Sequence, residues 1–77
     1  MDTEFRTKDL YESSVLCALG KKLLRLEGDG SQYWFVFADR EACKKVSNSY
    51  WAGDIKVNAK TLVNWVRDLK DRIFAQK

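Results

Sequence analysis

A side-chain hydroxyl becomes a nucleophile only when a base stands within reach, and the base most often used is imidazole. This chain has no histidine. Its hydroxyls, among them Ser13, Ser14, Ser31, Ser47, Ser49 and Thr61, are assigned to helices, caps or a turn, and no Lys–Ser or paired-carboxylate arrangement stands out along the sequence. The expectation is a protein that is not an enzyme, with no catalytic residue. The missing imidazole also removes the commonest zinc ligand, and the two cysteines, Cys17 and Cys43, are far apart in sequence and too few to close a tetrahedral site. No metal and no other cofactor is expected. Gly28-Asp29-Gly30-Ser31 resembles a phosphate loop in composition alone, because it joins two strands instead of opening a helix, and it reads as a hairpin turn.

Binding chemistry is better supplied. One face of a helix predicted over 40–51 collects Arg40, Lys44, Ser47, Asn48 and Trp51, with Lys45 at its border. Cations there meet phosphates, the polar side chains hydrogen-bond, and the ring stacks on a base. The competing reading of Trp51 is that it folds back onto the last helix, since large aromatic rings are buried on average. Lys21 and Lys22 extend the basic rim, or serve only to offset the negative end of the first helix dipole. A second candidate surface is the outer face of the hairpin, where Trp34 and Val36 lie with Arg25 nearby. Left open, such a face stacks unpaired bases, or forms a dimer seam or a docking patch for another protein; the competing reading is that the flanking Phe5 segment or a helix covers it. The partners weighed are therefore DNA or RNA, and a protein partner or homodimer; no small-molecule substrate and no membrane is expected.

The elements that must position these side chains can be read from caps and periodicity. Thr7 or Asp9 caps a helix over about 8–19, closed by Gly20, and its apolar and small residues run nearly all round, which places it in the middle of the fold. Two β-rich runs follow, Leu23–Glu27 and Gln32–Ala38, with Phe35 and Phe37 toward the core and Trp34 and Val36 on the other face. The segment around Phe5 is a candidate third strand at the sheet edge. Asp39 caps the second helix, whose buried stripe is Ala42, Cys43, Val46, Ser49 and Tyr50, and Ala52-Gly53-Asp54 ends it. Asn58 caps the last helix, over about 59–74, with Leu62, Val66, Leu69 and Ile73 as its buried stripe and Arg67/Asp71 and Asp68/Arg72 at ion-pair spacing. The order (β)αββαα describes an α+β fold, a small antiparallel sheet packed on three helices.

At 77 residues the chain has room for one core, read as a single domain over 4–75 with flexible termini at 1–3 and 76–77. Fourteen basic residues against eleven acidic ones give a net charge of +3, which permits nucleic-acid binding without requiring it. The acidic start, Met1-Asp2-Thr3-Glu4, lacks the basic and apolar regions of a signal peptide, and no apolar run approaches a membrane span, so a cytoplasmic protein with reduced, buried cysteines is expected.

Phe5-x-Thr7-x-Asp9-Leu10-Tyr11, the stretch Gly20 to Leu24, Phe35-Val36-Phe37-x-Asp39, Tyr50-Trp51-x-Gly53, Val57-Asn58-Ala59 and Leu69-Lys70 together resemble a domain family of unknown function found in small uncharacterised bacterial and phage proteins. The likeness runs over nearly the whole chain. It implies a single folded unit and transfers no catalytic residue or ligand; its phage and mobile-element settings imply nucleic-acid handling or modulation of a host protein.

Overall fold

The computed structural model describes residues 3–28 and 31–76. The expected hairpin tip at Asp29 and Gly30, and the chain ends Met1, Asp2 and Lys77, lie outside the described residues. The elements are β1 (Glu4–Thr7), α1 (Leu10–Ala18), β2 (Leu23–Gly28), β3 (Tyr33–Ala38), α2 (Arg40–Trp51) and α3 (Ala59–Gln76). The fold is α+β, with three helices and a three-stranded antiparallel sheet among the described residues, in the order β1-β3-β2. The segment around Phe5 is thus an edge strand, and the hairpin supplies the centre and the other edge.

Local chemistry fixes the helix ends. Asp9 Oδ1 accepts the Glu12 amide at 2.7 Å, Asp39 Oδ1 accepts that of Ala42 at 3.2 Å, and Asn58 Oδ1 accepts that of Thr61 at 3.0 Å. Asp39 does so from the left-handed region at φ 66°, which a short polar side chain tolerates better than a branched one. At the far ends Gly20 and Gly53 take φ of 86° and 74°, which suits a residue without Cβ and turns the chain out of α1 and α2. The last helix runs two residues past the expected Phe74, to Gln76.

One sheet face is apolar and carries the core. Phe5, Leu23, Leu26, Phe35 and Phe37 point toward Leu16 and Cys17 of α1, Cys43 and Val46 of α2, and Leu69, Trp65 and Ile73 of α3. The central position expected for α1 is observed: six consecutive residues from Glu12 to Cys17 are buried. Two of them are serines whose hydroxyls donate to carbonyls one turn back, Ser13 to Asp9 and Ser14 to Leu10, each at 2.8 Å. Their polar atoms are satisfied within α1, so neighbours can close on it from every side. Among the described residues of α3 only Leu69 is fully buried, while Leu62 and Val66 of the expected stripe are half-buried. The reason is that α3 packs chiefly against α1, and no other described element meets it to a comparable extent. Of the two ion pairs expected there, Asp68–Arg72 closes at 3.4 Å.

Candidate nucleic-acid interface

The cations that spacing placed on one flank of α2 lie along an open groove. Arg40 and Lys44, one helical turn apart, line a depression of about 250 Å³ together with Glu4, Phe5 and Arg6 of β1. It runs between the edge strand and the helix. Both α2 cations are exposed, and neither meets a carboxyl group at ion-pair distance among the described residues. Asn48 and Lys45 are also exposed, Asn48 a turn beyond Lys44 and Lys45 round the helix from it.

Trp51 completes this flank in a way that neither sequence reading anticipated. It turns toward α1, where its indole Nε1 donates to Oε2 of Glu12 at 2.7 Å. The Ser47 hydroxyl donates to the same oxygen. Glu12 itself is only 4% exposed, whereas Trp51 is 64% exposed and meets Tyr50 edge-on with ring centroids 5.0 Å apart. One edge of the indole is thus tied to the interior and its body lies in the open. Ser47, grouped in the sequence with the nucleic-acid face, is buried and spent on this bond. Tyr50, half-buried beside it, has its phenol pKa raised by burial and then by the neighbouring Asp9, Glu12 and Tyr11.

Glu12 is the residue of this candidate site that sequence reasoning missed. A signal was present: it is the one acidic residue in a helix otherwise built of apolar and small side chains, and a carboxyl group in such a helix needs partners from elsewhere in the fold. Ser47 and Glu12 also form a hydroxyl–carboxyl pair of the kind used in nucleophilic chemistry. Neither the groove beside β1 nor a shallower depression at Asn64, Trp65 and Asp68 is lined by that pair, and its evident role is to tie α2 to α1.

The outer face of the sheet, the second candidate surface, is organised differently. Arg25 forks onto Glu4 with two bonds of 2.9 Å and reaches Glu27 through Nε at 2.7 Å, while Arg6 meets Glu27 at 2.6 Å. These hydrogen bonds, to Glu4 first and Glu27 second, push the Arg25 pKa further above its already high range. Val36, a candidate for an open surface, is fully buried beneath this network, which neither the Phe5 backbone nor a helix supplies. The correction has a plain cause: β3 is the central strand, and long side chains from both neighbours close over it. Trp34 is 37% exposed and carries the Lys8 ammonium 5.2 Å from its ring centre. Lys21 and Lys22 stand at the junction of α1 and β2, at the sheet edge opposite the groove, so the structure does not gather them with Arg40 and Lys44.

Both cysteines are free and buried. Burial pushes the Cys17 thiol up to about 11, with the nearby Arg72 opposing, and burial likewise raises Cys43. Among the described residues no group of three or more His, Cys, Asp or Glu side chains is placed to hold a metal ion, and no helix is long and apolar enough to cross a membrane. No family model, curated protein or solved structure matches the chain.

Proposed function

We propose that the chain is a non-enzymatic binding module that takes up single-stranded nucleic acid along α2, in an accessory role of the phage or mobile-element kind. Arg40 and Lys44 contact phosphates, Asn48 hydrogen-bonds the strand, and Trp51 stacks on an unpaired base. The observation that carries this reading is the anchoring of Trp51: the bond to Glu12 holds the indole at one edge and leaves its body open, in line with two cations that have no ion-pair partner among the described residues. Trp51 stands eleven helical steps after Arg40, so the flank is about 16 Å long, room for a few nucleotides. A ring that is open at the surface suits bases that are not already stacked in a duplex. A ring free to rotate would lose more entropy on stacking than one already fixed.

Titration of the full chain with a short oligothymidylate at low salt, followed by tryptophan fluorescence, tests the proposal. Quenching is expected, with the logarithm of the binding constant falling linearly against log salt at a slope of about −0.7 for each phosphate neutralised. Trp34 and Trp65 also report in this assay, so Trp51→Phe should remove most of the signal change. An unchanged spectrum at low salt, or affinity indifferent to salt, would end the proposal.

A further inference from the structure

The sheet has two edges, and they are not equivalent. Beyond β1 lies α2, which packs against that strand and forms the groove. Beyond β2 no strand pairs and no helix packs along the edge among the described residues. Leu26, on the core-facing side of β2, is only half-buried as a result. An uncovered edge presents unpaired backbone donors and acceptors, and a strand that fits them continues the sheet.

We infer that this edge pairs with the β2 edge of a second copy of the chain, antiparallel and centred on Leu26, to give a closed homodimer with a six-stranded sheet. Charge order along β2 favours this register. Arg25 and Glu27 share the outer face on either side of Leu26. A two-fold axis through Leu26 sets Arg25 opposite the partner's Glu27 and Glu27 opposite the partner's Arg25, so both outer-face pairs are attractive. The same axis brings the two half-buried Leu26 side chains together on the inner face. The irregularity between Leu23 and Arg25 limits the regular seam to the stretch from Arg25 onward.

Charge order also rejects the main alternative. On β1, Glu4 and Arg6 flank Phe5 on that outer face. An antiparallel seam between β1 of one copy and β2 of another, centred on Phe5 and Leu26, would oppose Glu4 to Glu27 and Arg6 to Arg25. Both pairs repel, so the head-to-tail contact that would generate an open filament is disfavoured and the self-pair that closes is favoured. With the two-fold axis normal to the sheet, both helical layers lie on one side. This inference is independent of the nucleic-acid reading, since the seam and the α2 flank share no residue.

Analytical ultracentrifugation of the full chain, with variants checked for folding by circular dichroism, tests it. The wild-type chain should show a concentration-dependent rise to twice the chain mass. Arg25→Glu and Glu27→Arg should each weaken the dimer at least about tenfold, because each self-pair now opposes like charges. An equimolar mixture of the two variants should restore it: one chain then carries two acids along the seam, the other two arginines, and every pair across the axis is again attractive. A mixture that stays monomeric, or single variants that dimerise as well as wild type, would overturn the inference. If either variant fails to fold, the wild-type protein decides alone: a mixed sample of isotope-labelled and unlabelled chains must give inter-chain contacts between Arg25 and Glu27 backbones, and a mass of one chain at all concentrations refutes the dimer.

Discussion

The outer face of the sheet and the flank of α2 each present two cations beside an aromatic ring, and they use them in opposite ways. On the sheet, Arg6 and Arg25 are drawn into bonds with Glu4 and Glu27, and their side chains roof Val36. On α2, Arg40 and Lys44 make no such bonds among the described residues, and the ring next to them is held by a buried carboxyl group. The difference teaches that residue type alone does not mark a binding surface. What separates the two is pairing: on the sheet the acids bond the arginines directly, whereas Arg40 and Lys44 share their groove with Glu4 yet meet no carboxyl group at ion-pair distance among the described residues.

Removing the anchor of Trp51 should have the largest effect. Glu12→Ala leaves the Ser47 hydroxyl and the Trp51 N–H without their acceptor and opens a small void between α1 and α2, a loss of about 2–3 kcal/mol. Urea denaturation measures that cost. In the same variant the fluorescence response to oligonucleotide should fall, because Trp51 then behaves as an ordinary surface ring.

The two buried cysteines mark the limit of the contrast, a place where charge is neither paired nor exposed but disfavoured. The Cys17 thiol has its pKa raised in the folded chain from 9.0 to about 11, so the neutral form is the one the fold accepts. Its contribution is fully present below pH 9 and is lost as pH rises toward 11, where the unfolded chain ionises and the folded chain resists. The loss over that window is roughly 2 kcal/mol, and Cys43 acts in the same direction. Melting temperatures recorded between about pH 8 and 11 should therefore decline, and Cys17→Ala should flatten the decline; equal slopes in the two proteins would refute this assignment.

A smaller effect separates the two sets of cations. Arg25→Ala should lower the melting temperature at low salt and do so less at high salt, as expected for an exposed ion-pair network. Arg40→Ala should leave stability unchanged, since no ion pair of the described fold depends on its charge. If Arg40→Ala destabilised as much as Arg25→Ala, the contrast between committed and available cations would fail.

The sequence made the elements legible because their signals are local. Asp9, Asp39 and Asn58 each cap a helix within three residues of their own position, and Gly20 and Gly53 stop two of them. The alternation in β3 placed Phe35 and Phe37 inward correctly. What remained hidden depends on contacts distant in the chain. The Glu12 bonds span 35 and 39 residues, and the Arg25–Glu4 bonds span 21. The irregularity at Leu24 adds a local obstacle: strict alternation from Leu23 would group it with Arg25 and Glu27, whereas the extra residue turns Leu23 inward and the charged pair outward. For the candidate site, spacing along α2 brought Arg40, Lys44 and Trp51 to one flank, but it also assigned Ser47 to that surface, and nothing within α2 reveals that Ser47 and the Trp51 N–H are both claimed by α1.

Amide chemical-shift mapping of the labelled chain with a short oligothymidylate at low salt reads out which surface meets the strand. Shifts should concentrate at Arg40, Lys44, Asn48 and the Trp51 indole, with the amides around Arg25 and Trp34 unmoved. Shifts centred on the outer face of the sheet, or none at all, would contradict binding along α2.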